Sequence, residues 1–327
     1  MSLTDEIKSK ALELGFDLVG VTGAGRIDSE QVEIFQSWLE SGCAGQMSYM
    51  HNNLDKRINP SQLVENAQSI IITGLNYNPP EKMRFCRTPQ TPVGKIASYA
   101  CYEDYHTFIK KQLHKLADFI SSQTDRGIHS KICVDSVPLA ERALAVRAGL
   151  GFIGKNHMFI NPDLGCKIFL GEIITDLKLE FDQPISTGRV RCIALKESYC
   201  SSCNKCIKVC PTGALRQDGF FDAGRCINYL TIEYKGEIST ELAGKIGNRL
   251  FGCEECIKVC PYQKNAPVCK NKQFKFYPER AQINLEDVLN LSEELFEEKF
   301  RDSVIKRSGL DVLKRNARIC LANRTFL

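Results

Sequence analysis

Residues 200–211 read CSSCNKCIKVCP, with Cys200, Cys203, Cys206 and Cys210 followed directly by a proline. This spacing is typical of the loop by which bacterial ferredoxins bind a [4Fe–4S] cluster. Three closely spaced thiolates can bind three corners of one cluster, whereas the fourth cysteine turns toward another cluster. The stretch therefore predicts an iron–sulfur module with a second cysteine set elsewhere in the chain.

The hexapeptide CIKVCP of this motif occurs a second time, at residues 256–261. The repeat preserves the end of the first motif through Cys253, Cys256 and Cys260. Leu250 occupies the place of the missing first cysteine, so a cysteine from outside the motif must complete the set. Cys226 is the preferred candidate and Cys269 the weaker one.

We expect each repeat to contribute its last cysteine to the cluster of the other repeat. The ligands of the first cluster would be Cys200, Cys203, Cys206 and Cys260. The ligands of the second cluster would be Cys226, Cys253, Cys256 and Cys210. Structural zinc is the alternative, because paired CxxC units also form four-cysteine zinc sites. Zinc has no need for the doubled pattern, however. The remaining cysteines are expected to be small buried hydrophobic residues.

The composition is that of an ordinary soluble globular protein. The chain has 327 residues, of which 43% are hydrophobic and 25% charged, and its net charge is +4. These values exclude a disordered chain and permit a nucleic-acid partner without requiring one. We expect no membrane helix and no signal peptide. In the cytoplasm that these features predict, 16 cysteines indicate metal or redox chemistry rather than disulfides.

The segments before the cysteine module alternate between strands and helices. Apolar runs predict strands over residues 17–22, 69–75, 131–134, 169–175 and 192–195. Amphipathic spacing predicts helices over residues 3–15, 30–41, 104–122 and 138–148. We therefore predict an α+β fold: an α/β-like cofactor-binding domain, a ferredoxin-like double [4Fe–4S] module and a short helical C-terminus. The expected domains are residues 1–196, 197–269 and 270–327.

Gly149, Gly151 and Gly154 form a GxGxxG pattern. A dinucleotide site requires a strand before this pattern and a helix after it, whereas a helix is predicted before it here. We expect the glycines to permit a tight turn or the close approach of a bulky group. Asp135 follows a predicted strand and is either a helix N-cap or a general acid. His106 is either structural or a ligand or base.

Charge is segregated near the C-terminus. Residues 286–298 contain six acidic residues and no basic one, whereas residues 299–327 contain eight Lys or Arg against two Asp. The basic segment is either a solvated helical face or a patch that contacts phosphates.

Several stretches resemble the epoxyqueuosine reductase family, and together they are more specific than the ferredoxin motif alone. They include YMHNNLDKRINPSQL (49–63), VDSVPLAERALAVRAGLGFIGKN (134–156), FLGEIITDL (169–177) and IGNRLFGCEECIKVCPY (246–262). The resemblance implies a cobalamin-dependent enzyme with two [4Fe–4S] clusters. Such an enzyme removes the epoxide oxygen of epoxyqueuosine at the tRNA wobble position, which yields queuosine.

The resemblance also implies roles for individual residues. Asp135 would be the proton donor, provided that burial raises its pKa. Lys235 would contact tRNA. The cobalamin site would include Arg57, Asp135, Lys155, Asn156 and Asn228.

The chain departs from the family at Phe152, where tryptophan is usual, and at His157, where a small hydroxyl residue is common. Both would lie near the cofactor. Many members also continue into a helical-repeat domain that helps to bind tRNA. The alternative function is therefore a corrinoid iron–sulfur reductase, similar to a reductive dehalogenase, acting on a small molecule. A plain electron carrier is the third hypothesis. The expected partners are tRNA and an electron donor such as a flavodoxin or ferredoxin, with a monomer and no membrane.

Overall fold

The computed structural model describes residues 2–80, 92–184, 200 and 202–323. Its strands are β1 (Leu18–Gly23), β2 (Ser69–Asn76), β3 (Val93–Ile96), β4 (Ser130–Cys133), β5 (Phe152–Ile153), β6 (Phe159–Ile160), β7 (Ile168–Thr175), β8 (Arg249–Phe251) and β9 (Gln282–Asn284). Its helices are α1 (Leu3–Glu13), α2 (Ser29–Glu40), α3 (Leu54–Ile58), α4 (Tyr105–Ser122), α5 (Glu141–Arg147), α6 (Lys205–Val209), α7 (Ile227–Ile232), α8 (Thr240–Ile246), α9 (Glu255–Lys258), α10 (Pro261–Lys264), α11 (Leu285–Leu289), α12 (Glu293–Phe300) and α13 (Leu310–Ala322).

The main sheet has the strand order β1–β2–β7–β4, and all neighbouring strands are antiparallel. Its two central strands, β2 and β7, are buried along their whole length because helices cover both faces. Ile71 and Ile173 pack against α1 and α4 on one face. Ile72 and Ile174 pack against α5, α2 and α3 on the other. Successive residues of a strand point to opposite faces, which explains this division.

A second sheet joins distant parts of the chain. It has the order β8–β3–β9, in which β3 is parallel to β8 and antiparallel to β9. Leu250 of β8 and Ile283 of β9 form a core with α11, α12 and α13. Because β3 precedes the cysteine module in sequence, this core connects the segments that we expect to form separate domains. The predicted boundaries at 196/197 and 269/270 remain predictions.

The predicted helices and strands that fall on described residues match observed elements to within a few residues, and the predicted α+β class is confirmed. The sequence does not predict the shorter strands or the helices after residue 200 individually. The exception among the helices is α5, which begins at Glu141 rather than near residue 138, with Ala140 at its N-cap position. The predicted strand at 192–195 lies outside the described residues. Within the described ranges, we find no helix with the length and apolar character needed to cross a membrane.

Candidate functional site

The first cysteine set surrounds a small cavity. This cavity has a volume of about 120 Å³ and is lined in part by Cys200, Cys203, Cys206 and Cys260. The last of these cysteines comes from the second repeat, so the structure brings together the four residues that the crossed arrangement requires. The two repeats meet through their short helices α6 and α9, which pack against each other.

Backbone amides donate hydrogen bonds to the cysteine sulfurs, which stabilises the thiolates that would bind iron. Cys200 accepts a hydrogen bond from the amide of Lys155. Cys260 accepts hydrogen bonds from the amides of Tyr262 and Gln263. Such bonds are among the factors that set the reduction potential of iron–sulfur clusters, so this donor set fits a [4Fe–4S] cluster.

The second cysteine set gathers around Cys226, which lies at the start of α7. Burial raises the pKa of Cys226 to about 11, and the nearby thiols of Cys253 and Cys210 add to the rise. Burial also raises the pKa of Cys256, and the same three thiols add to the rise. Cys269 lies elsewhere, beside Tyr102 in the core of the main sheet.

Cys166 is a neighbour of the first set that the sequence does not distinguish from other buried cysteines. It is fully buried, and its thiol hydrogen-bonds to Cys260, which lowers the pKa of Cys260 to about 6. Phe152 belongs to the same apolar cluster. A Cβ atom on Gly154 would lie 2.5 Å from Ile160 Cδ1 and 3.6 Å from Cys200 Sγ, so glycine is needed for close packing here.

Two predicted cobalamin contacts lie at the same cavity. Lys155 and Asn156 both line it, and Lys155 Nζ donates to Asn204 Oδ1 at 2.9 Å. His157 follows with a left-handed backbone, φ 57°, and its carbonyl accepts a hydrogen bond from Arg142. Burial lowers the pKa of His157 to about 4, so its ring is neutral. The cobalamin contacts of Lys155 and Asn156 stay predictions.

Asp135 lies in the turn between β4 and α5, away from the helix start. Its backbone is left-handed, with φ 52°, which is uncommon for a residue other than glycine. The side chain is 54% exposed and accepts a hydrogen bond from Tyr105 Oη at 2.6 Å. Ala140 stands at the N-cap position of α5, so Asp135 is not the cap, and more than half of its side chain is exposed to solvent.

His106 also faces this carboxylate, although a histidine at the start of a helix more often has a structural role. Its Nε2 lies 3.5 Å from Asp135 Oδ2 and 2.7 Å from Arg307 Nη1. Its Nδ1 lies 2.7 Å from Asp104 Oδ1, and the same oxygen caps the start of α4. The cap thus orients the imidazole toward Asp135.

The charge state of Asp135 differs from the expectation that burial raises its pKa. Desolvation does act in that direction, but hydrogen bonds from His106 and Tyr105 outweigh it and lower the pKa of Asp135. The nearby Arg307 adds to the lowering. The physical reason is that these partners stabilise the ionised carboxylate. An ionised carboxylate cannot act as a general acid, so Asp135 would have to take up a proton before it could donate one.

Arg57 and Tyr49 lie in the surroundings of this carboxylate. Burial raises the pKa of Tyr49 and lowers the pKa of Arg57, and the negative charge of Asp135 favours the protonated form of both. Arg57 Nε is buried and has no hydrogen-bond partner among the described residues, so it can donate to an added group. A corrin ring carries amide side chains whose oxygens can accept such a hydrogen bond, so the Arg57 donor fits bound cobalamin. Asn228, on α7, faces the loop after β8, because a Cβ atom added to Gly252 would lie 3.3 Å from Asn228 Oδ1.

Part of the basic C-terminal segment has structural partners. Arg315 donates to the carbonyl oxygens of Leu230, Tyr234 and Gly236, which anchors α13. Lys235 Nζ donates to Ser308 O at 2.7 Å and lines a cavity beside α13. The segment is therefore not a uniformly free phosphate-binding face.

Two family models match the chain: "Epoxyqueuosine reductase QueG, DUF1730" over residues 57–136, and "4Fe-4S double cluster binding domain" over residues 199–263. An epoxyqueuosine reductase from Cyclobacterium marinum is 35% identical over 313 residues, which cover 96% of this chain and 95% of the relative. The chain belongs to the epoxyqueuosine reductase family. The Escherichia coli K12 epoxyqueuosine reductase is 34% identical, with 98% of this chain and 81% of the relative covered.

Solved epoxyqueuosine reductase structures have the same fold. The Streptococcus thermophilus enzyme aligns with a TM-score of 0.86 at 31% identity, covering 99% of this chain and 82% of that one. An epoxyqueuosine reductase in complex with an epoxyqueuosine-modified tRNA-Tyr stem loop aligns with a TM-score of 0.88 at 33% identity, covering 98% and 81%. The Bacillus subtilis enzyme is described with its catalytic aspartate loop swung out of the active site.

Proposed function

We propose that this chain reduces epoxyqueuosine to queuosine at the wobble position of tRNA. The observation that carries the proposal is the similarity to epoxyqueuosine reductases over 96% of the chain, which includes both cysteine sets and the turn that carries Asp135. The cysteines of each crossed set would bind one [4Fe–4S] cluster. Arg57, Lys155, Asn156 and Asn228 would contact cobalamin, together with Asp135.

The reduction opens the epoxide, forms a carbon–carbon double bond and releases the oxygen as water. It therefore consumes two electrons and two protons. When bound, the clusters and cobalamin supply the electrons at low potential. Asp135 supplies a proton to the departing oxygen, which would otherwise leave as a poor alkoxide leaving group. Tyr105 and His106 hold the carboxylate in place, and Lys235 contributes to the binding of tRNA.

The proposal extends to partners and location. A flavodoxin or ferredoxin would deliver electrons to the clusters, and the enzyme would act as a cytoplasmic monomer. The small-molecule alternative rests on the helical-repeat domain into which many members of the family continue. That domain does not decide between the two functions, because this chain covers 95% of an epoxyqueuosine reductase from Cyclobacterium marinum.

The test is turnover of a defined tRNA. The protein is purified without oxygen, incubated with cobalamin and given epoxyqueuosine-containing tRNA with a low-potential reductant. We expect queuosine in the nucleoside digest, together with about eight irons per chain, as two clusters require. Bound corrinoid and iron without conversion of the tRNA would favour the small-molecule reductase. Iron without corrinoid would favour the electron carrier, and zinc in place of iron would contradict the redox function.

A further inference from the structure

One carboxyl group lies inside the core of the main sheet. Glu172 on β7 has no exposed surface, and neither of its carboxyl oxygens has a hydrogen-bond partner among the described residues. Burial of an ionised carboxylate without a partner is so costly that such a group takes up a proton instead. Perturbed carboxyl groups of this kind are concentrated at functional sites.

Glu172 lies on the sheet face that also holds α5. Its neighbours Leu170 and Ile174, which alternate with it along β7, belong to the core on that face. On the adjacent strand, Cys133 is directly opposite Glu172, and Asp135 follows two residues later. The buried carboxyl is therefore close to the turn that carries Asp135.

Glu141, the first residue of α5, contacts the turn that carries Asp135. Its Oε1 accepts a hydrogen bond from the backbone amide of Asp135 at 2.8 Å. Burial raises the pKa of Glu141 to about 8, and the charge of Asp135 adds to the rise, whereas Arg142 and His106 oppose it. Burial also raises the pKa of Glu172, with contributions from Glu141 and Asp135.

The proposed reduction consumes two protons, whereas a single carboxyl group at Asp135 provides one. We propose that buried Glu172 stores a proton and that this proton reaches Asp135 by way of Glu141. This inference rests on the proposed function. In the complete step, both carbon–oxygen bonds of the epoxide break, the double bond forms, and the two electrons come from the bound cofactors. Asp135 takes the first proton from solvent at its exposed carboxylate and gives it to the oxygen, then receives the stored proton and gives the second, so that water leaves.

The experiment compares Glu172→Gln, Glu141→Gln and wild-type protein, with Glu40→Gln as an exposed control. Infrared spectra of wild type minus each variant at neutral pH report the carbonyl band of a protonated carboxylic acid without any need for turnover. We expect Glu172→Gln to lose such a band and Glu40→Gln to keep it. A wild-type spectrum without a band assignable to Glu172 would overturn the inference.

Single-turnover rates then test whether the stored proton is used. We expect Glu172→Gln to slow the reduction about tenfold and to change its solvent deuterium isotope effect, with iron, cobalt and tRNA affinity unchanged. Removal of a general acid itself typically costs about 10²–10⁴-fold. If Glu172→Gln loses the infrared band but keeps the wild-type rate and isotope effect, the proposal that Glu172 returns a proton to Asp135 is wrong.

A second variant separates proton storage from a structural role. Glu172→Met keeps the volume but removes the unpartnered polar atoms, so its melting temperature should equal or exceed that of wild type while the reduction slows. Parallel losses of stability and rate would show a structural role and contradict the inference. If wild-type protein forms no queuosine, the proposed function fails, whereas the infrared band still decides whether Glu172 holds a proton.

Discussion

The cysteine module and the Asp135 site are built in opposite ways. In the module, two short repeats contain most of the expected ligands, and backbone amides from nearby residues such as Tyr262 bond to the sulfurs. At the Asp135 site, the partners are far apart in sequence: His106 and Arg307 are separated by 201 positions. The first centre is encoded largely by local spacing, whereas the second exists only after α4 and the 3₁₀ turn Val304–Ser308 have packed beside the turn that carries Asp135.

Because of this difference, substitutions at the two centres should impair different steps of the reaction. A cysteine change should remove one cofactor and leave the surrounding fold, because the ligands belong to separate short loops. A change at the Asp135 site that keeps the shape of the side chain should leave both clusters and alter proton transfer, because the residues around Asp135 control its charge and do not bind the clusters.

The largest expected effect tests the crossed arrangement. Cys260→Ala should remove the same cluster as Cys203→Ala, whereas Cys253→Ala should remove the other one. Each variant should retain about four of about eight irons and should lose reduction of the tRNA. Iron content and electron paramagnetic resonance of the reduced proteins provide the measurement. Cys269→Ala is the control and should keep both clusters.

The crossed arrangement is wrong if the reduced spectrum of Cys260→Ala matches that of Cys253→Ala.

The next largest effect concerns Asp135. Asp135→Asn should lower the rate of reduction about 10²–10⁴-fold, the range typical of a lost general acid. Bound iron, bound cobalamin and tRNA affinity should not change, because the amide keeps the shape of the side chain. Single-turnover kinetics with the exposed Asp125→Asn as control measures this. Full activity of Asp135→Asn would end the proton-donor assignment.

A smaller effect concerns pH. The hydrogen bond from Tyr105 stabilises ionised Asp135, so Tyr105→Phe should raise the pKa of Asp135. A general acid must be protonated, so the rate falls as pH rises through this pKa. The falling limb of the pH–rate profile should therefore move to higher pH in Tyr105→Phe, by about one unit for a bond to a charged group.

Tyr234→Phe is the matched control, because its hydroxyl bonds only to a backbone carbonyl at 3.0 Å in an exposed position. An unshifted limb in Tyr105→Phe would show that Tyr105 does not control the charge of Asp135.

The smallest effect concerns tRNA. Lys235→Gln should reduce the slope of log affinity against log salt by about one, as expected for one lost phosphate contact. Binding titrations at several salt concentrations measure the slope, with the exposed Lys178→Gln as control. Equal slopes for both variants would show that Lys235 serves only to hold Ser308.

The sequence predicts the elements of the main sheet well because their apolar runs are long and bounded by turns. It also predicts which cysteines the two repeats bring together. It does not reveal that Cys166 contacts Cys260, because Cys166 belongs to no spacing pattern. It gives no sign that His106 faces Asp135, since that contact depends on how α4 packs beside β4. The lowered pKa of Asp135 follows from the same contacts and reverses the expectation based on burial.

The sequence by itself determined the cysteine spacing, the family resemblance and the strands of the main sheet, because each depends on motifs of residues close together in the chain. Only the tertiary structure decided the charge states around Asp135 and the burial of Glu172. Those properties depend on the summed fields and desolvation from segments that are distant in sequence, and no local pattern encodes such a sum.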